Sequence, residues 1–149
     1  LTTGPEIVED LGAAPDVFIA GIGTGGTITG VGRFLRARGA STAVIGIEPE
    51  SSPLLTKGVA GAHKIQGIGA NFIPDVLDRS VIDEVVTVSD ESALKFMEIL
   101  GKEEGIFTGI SSGAAISATV DVCKQKNLTG KKIVAVLPDT GERYVSLLD

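Results

Sequence analysis

The stretch VFIAGIGTGGTITGVGRFL, Val17 to Leu35, decides how the chain is read. It opens on apolar and β-branched residues that run into glycine, the pattern of a short buried strand. From Thr27 onward, apolar side chains return at Ile28, Val31, Phe34 and Leu35, a helical spacing that Gly39 closes. Between strand and helix lie Gly21, Gly23, Gly25 and Gly26, with Thr24 and Thr27 among them. A glycine-rich turn opening a helix suits an anion, because free backbone N–H groups and the positive end of the helix meet there. The question is whether that anion is a pyrophosphate inside a dinucleotide or a single terminal phosphate.

The dinucleotide alternative rests on Gly21, Gly23 and Gly26, which fit GxGxxG, and on Glu48. An acid at the end of the next strand is where a ribose hydroxyl is bound in such folds. Three features favour a terminal phosphate. Thr24 and Thr27 add hydroxyl donors, which a phosphate dianion with three outer oxygens can use. Gly25-Gly26 permits a backbone nest around an anion. GISSGAA, residues 109–115, places Ser111 and Ser112 between glycines at a second helix start. A cofactor with a phosphate at one end and a polar ring atom at the other has a use for both.

The rest of the chain alternates in the same way. Strands are expected at 16–21, 43–48, 84–89 and 131–139. Helices are expected from Pro5 to Gly12, over 27–38, from Ser89 toward Gly105, and over 112–126. Residues 49–82 lack a steady period and read as a long loop with one short helix. This predicts a single α/β domain over 1–149, an open and mostly parallel sheet with helices on both faces. Ligands of such sheets bind beyond the carboxyl ends of the strands. Segments 21–27, 109–113 and 138–142 are therefore expected to converge.

Twenty of the 149 residues are glycine, 43% are hydrophobic, and the net charge is −6. An acidic chain argues against nucleic acid or an anionic membrane as partner. No apolar run approaches the roughly 20 residues of a membrane span. The single cysteine, Cys123, leaves no internal disulfide, which fits a reducing compartment and a cytoplasmic location. One histidine and one cysteine give little basis for a metal centre. The opening LTTGPEIVEDLG has no initiator methionine and starts at a helix, so the sequence is expected to begin inside a longer chain.

AGIGTGGTITGVGRFL, HKIQGIGANFIPDVLD, GISSGAA and LPDTGERY, in this order, resemble the cysteine synthases. These are the O-acetylserine sulfhydrylases among the fold type II enzymes dependent on pyridoxal phosphate (PLP). The resemblance runs from Thr3 to Ser146. It implies that Gly23, Thr24, Gly25, Gly26 and Thr27 bind the PLP phosphate, that Ser111 meets the pyridine nitrogen as a neutral partner, and that Gln66, Gly67, Ile68 and Gly69 lie beside the substrate. It implies replacement of acetate in O-acetyl-L-serine by sulfide, giving L-cysteine. It also implies a homodimer that can bind the C-terminal tail of serine acetyltransferase. The lysine that holds PLP covalently is implied to lie in an N-terminal half, in a motif like Ser-x-Lys-Asp-Arg, which this sequence does not contain. The 149-residue chain alone is therefore expected to be inactive. A non-catalytic interaction module is the remaining alternative. His63 and Cys123 are read as structural, Asp90 and Glu91 as helix-start charges, and 139–143 as a segment able to line the cofactor ring.

Overall fold

A computed structural model describes residues 2–147. Four strands form one parallel sheet: β1 Val17–Gly21, β2 Ala43–Pro49, β3 Glu84–Val88 and β4 Ile133–Ala135, in the order β3-β2-β1-β4. The α-helices are α1 Thr3–Leu11, α2 Gly26–Ala37, the single turn α3 Leu54–Lys57, α4 Asp90–Glu103 and α5 Ile110–Lys126. 3-10 segments occupy Arg79–Val81 and Gly141–Leu147. Among the described residues, no helix is long and apolar enough to cross a membrane.

Successive strand side chains point to opposite faces, so each strand feeds two cores. Val17, Ile19, Ile45 and Ile47 join Ala93 and Met97 of α4 and Ile110, Ala114 and Ala118 of α5. Phe18, Ala20 and Val44 join Ile28, Val31 and Leu35 of α2, with Ile7 and Val8 of α1 against them. The sheet is thus covered on both faces, as the near-continuous apolar strands require.

The first three strands fall where the sequence places them, to within a residue. β4 is shorter than 131–139. The Lys132 N–H turns instead to the Asp16 carboxylate at 2.8 Å, and the pairing fades beyond Val136, whose N–H reaches the Ile19 carbonyl at 3.0 Å. α5 begins two residues before the expected 112. Ser111 and Ser112 stay helical because their hydroxyls turn to Asp139 rather than to their own backbone. The stretch 49–82 is irregular apart from α3 and the turn at Arg79–Val81, yet it is anchored. Ile65, Ile68 and Leu77 are buried in the two cores, and Asp90 accepts from the Lys64 N–H at 2.9 Å. Ser89 caps α4 through its side chain, with Asp90 and Glu91 in the first turn as expected.

α4 and α5 meet backbone to backbone at Gly113. A Cβ there would collide with the Ala93 carbonyl oxygen and lie 2.7 Å from the Met97 nitrogen. Gly101, on α4, has nothing within 4 Å of the same position. Gly113→Ala is expected to destabilise the fold by about 1–3 kcal/mol. Gly101→Ala is expected to be neutral or stabilising by up to about 1 kcal/mol. Urea midpoints at unchanged slope would measure both.

Candidate functional site

The chain leaves β1 and enters α2 through Gly25, whose φ of +82° is left-handed. A side chain there is excluded twice over, since its Cβ would also lie 2.8 Å from Leu77 Cδ1. The first bond of α2 runs from the Thr29 N–H to the Gly25 carbonyl at 3.0 Å. The N–H groups of residues 23–28 consequently donate to no group among the described residues. Thr24, Gly26 and Thr27 are exposed beside them. The back of the turn is fixed from outside by the Asp78 N–H, which donates to Thr29 Oγ1 at 3.0 Å.

A second wall lies directly against this turn. A Cβ on Gly23 would collide with the Gly67 carbonyl oxygen, and one on Gly21 would sit 2.6 Å from Ile68 Cγ2. Gly67 has φ +93°, and its own Cβ position is 3.8 Å from Ser111 Oγ. Ser111, Val136 and Pro138 complete a cleft of about 130 Å³ that also touches residues 23–27, Gly67 and Ile68. It lies between the carboxyl ends of β1 and β4, where the strand order reverses, the place this topology provides for a ligand. The turns at 21–27, 109–113 and 138 thus converge.

Behind Ser111 stands Asp139. Its Oδ1 accepts from Ser112 Oγ at 3.2 Å and from Ser111 Oγ at 3.4 Å, while Oδ2 accepts from Tyr144 Oη at 2.6 Å. Backbone bonds hold it over the start of α5: the Gly109 N–H donates to its carbonyl at 3.3 Å, and the Gly141 N–H to that of Phe107 at 3.0 Å. A Cβ on Gly109 would collide with the Asp139 carboxylate, so the two glycines of GISSG have different duties. Gly109 admits a carboxylate, and Gly113 admits a neighbouring helix. The sequence marks 139–143 as able to line the cofactor ring, but Pro138 rather than these residues lines the cleft, and Asp139 stands behind Ser111.

Other expected residues fall outside the cleft lining. Gln66 is exposed next to it. Gly69 is turned away, its N–H on the Ile22 carbonyl at 3.0 Å and its carbonyl accepting from His63 Nε2 at 2.9 Å. That bond requires a proton on Nε2 and gives His63 a structural task. Glu48 is buried, and its carboxylate accepts from the N–H groups of Leu55 at 2.7 Å and Thr56 at 3.0 Å and from the Thr56 hydroxyl. The acid on which a ribose would depend is committed to the first turn of α3, which removes the main support for a dinucleotide.

The model of the family described as "Pyridoxal-phosphate dependent enzyme" matches residues 1–139. The chain belongs to this family. Among curated relatives of these PLP-dependent enzymes, a cysteine synthase of Staphylococcus aureus (strain Mu50 / ATCC 700699) is 46% identical over 147 residues. That alignment takes in 98% of the chain and 47% of the relative, so the chain spans about half the length of the curated relatives it matches. The crystal structure of cysteine synthase from Entamoeba histolytica superposes with a TM-score of 0.93 at 39% identity, over 97% of this chain and 43% of that one. An O-ureido-L-serine synthase structure does so at 0.91 and 43% identity, over 97% and 46%.

Burial, then the hydrogen bond to Asp139 and its charge, push the Tyr144 phenol up to about 12, with Arg143 opposing. Tyr144 is the only tyrosine, so phenolate absorbance reports on it alone. Because the folded value lies above the unfolded value of 10.0, the contribution of Tyr144 to stability is complete below about pH 10 and is lost as pH rises toward 12. Denaturant midpoints measured across that window should fall in the wild type. In Tyr144→Phe the part of the slope due to this residue should vanish.

Proposed function

We propose that this chain is the cofactor-anchoring part of a cysteine synthase, with Gly23, Thr24, Gly25, Gly26 and Thr27 holding the phosphate of PLP and Ser111 meeting its ring nitrogen. The observation that carries this is the set of unpartnered amides over 23–28, open to a cleft that ends on a buried hydroxyl. The donor set fits the group. Amides and two threonine hydroxyls serve a phosphate dianion, the positive end of α2 adds roughly half a unit charge, and among the described residues no carboxylate lines the cleft.

When bound, the cofactor supplies an electron sink for loss of the α-proton and of acetate from O-acetyl-L-serine, before sulfide adds. The residues of this chain orient and enclose. Gly67 and Ile68 form the wall against which the ring and substrate would lie, and the exposed Gln66 side chain can reach a substrate at the mouth. Gly69 holds that wall in register through the Ile22 carbonyl and His63. On this reading the 149-residue chain does not turn over substrate alone. The same reading carries a homodimer, a cytoplasmic location, and the C-terminal tail of serine acetyltransferase as a partner.

Deoxypyridoxine phosphate, a PLP analogue without the aldehyde, tests the site without needing a lysine. It is expected to bind, and its dephosphorylated form is expected not to. Thr27→Val should weaken binding about tenfold, the worth of one charge-assisted hydrogen bond. Equal binding of the two analogues, or an unchanged Kd in Thr27→Val, would contradict a phosphate held by this turn.

A further inference from the structure

The amides that face the cleft are held in place by groups that do not line it. Thr29 is buried on the first turn of α2 and is not among the cleft residues. Its N–H makes the first bond of the helix, to the Gly25 carbonyl at 3.0 Å, and its Oγ1 accepts from the Asp78 N–H at 3.0 Å, 49 residues along the chain. One turn further on, Arg33 Nε donates to the Asp78 carboxylate at 2.8 Å. Thr29 and Arg33 are four residues apart and share a face of α2, so both hold residue 78. The two holds differ in weight. The Arg33 side chain is 64% exposed, and water competes with its ion pair. The Thr29 hydroxyl is buried, and the Asp78 N–H has no other partner among the described residues. Leu77, the preceding residue, is seated against Gly25, with Cδ1 at 2.8 Å and Cβ at 2.9 Å from where a Gly25 side chain would begin. The stretch that sets Gly67 in front of the turn thus returns behind it at 77–78.

On the reading above, in which this turn holds a phosphate, we propose that Thr29 is a positioning residue for that phosphate. Its bond to the Asp78 N–H fixes the 77–78 peptide against the back of the turn. Leu77, held there, keeps the left-handed Gly25 from relaxing, so the amides of 23–28 stay turned outward. None of Thr29, Leu77 and Asp78 lines the cleft. Their effect on the anion is preorganisation: amides that must first be gathered bind more weakly than amides that already converge.

Thr29→Val keeps the branched shape and removes the acceptor, whereas Thr29→Ser keeps the acceptor. Binding of deoxypyridoxine phosphate to the 149-residue chain separates positioning from stability. Thr29→Val is expected to bind it about tenfold more weakly than the wild type, and Thr29→Ser to stay within about twofold. A threonine that served only the fold would lower the urea midpoint of Thr29→Val and leave the Kd of the folded protein unchanged, and that result overturns the proposal. Should Thr29→Val not fold, amide hydrogen exchange in the wild type decides. Coupling between a ligand and a bond is reciprocal, so the bound analogue should slow exchange of the Asp78 N–H by about tenfold. The Lys132 N–H, held by Asp16 at 2.8 Å at the opposite end of the sheet, should not respond. An Asp78 N–H indifferent to bound analogue also overturns the role of Thr29, while leaving the phosphate site standing. Failure of the wild type to bind the analogue removes the cofactor reading and this inference with it.

Discussion

Gly23 lies so close to the carbonyl oxygen of Gly67 that no side chain fits between them, and Gly21 lies as close to Ile68. Backbone meeting backbone in this way brings the 66–69 segment down over the end of β1. It narrows the opening into a cleft lined by the glycine turn on one side and by Ile68, Ser111, Val136 and Pro138 on the other. Leu77 does the same from behind, filling the space a Gly25 side chain would take and leaving the left-handed turn no alternative. The arrangement of donors above the sheet follows from these approaches, because the amides of residues 23–28 are turned outward only while the turn keeps this shape.

Two long helices begin at the cleft, and the fold treats their ends differently. α2 begins in glycines and threonines, with its first amides unpartnered. α5 begins beneath Asp139, whose carboxylate stands against Gly109 and takes the hydroxyls of Ser111 and Ser112. Both helix ends are positive. One has its negative partner built in, and the other is open to one from solution. This division matches the orientation proposed above, with an anionic group on the α2 side and a polar ring atom on the α5 side.

Much of this was legible in the residues. The alternation of apolar strands and amphipathic helices predicted a parallel sheet covered on both sides, and the glycine turn of 21–27 could be read as an anion site from its threonines. Glu48 could not be judged in the same way. Its position after the second strand suits a ribose, and only the folded chain shows it spent on the first turn of α3. Ser111 was marked through its motif, but Asp139, 28 residues further on, was tied to it only by the pairing of β4 with β1 and by the Gly109–Asp139 backbone bond.

By itself the sequence determined which segments become strands and helices and where a backbone can approach without a side chain. Those are local properties, set by side-chain periodicity and by the presence or absence of a Cβ. Only the tertiary structure decided what each glycine approaches, which acid is free, and which carboxylate stands behind Ser111. Those partners are brought together by strand order and helix packing, which depend on burying two apolar faces at once and are not encoded at any single spacing along the chain.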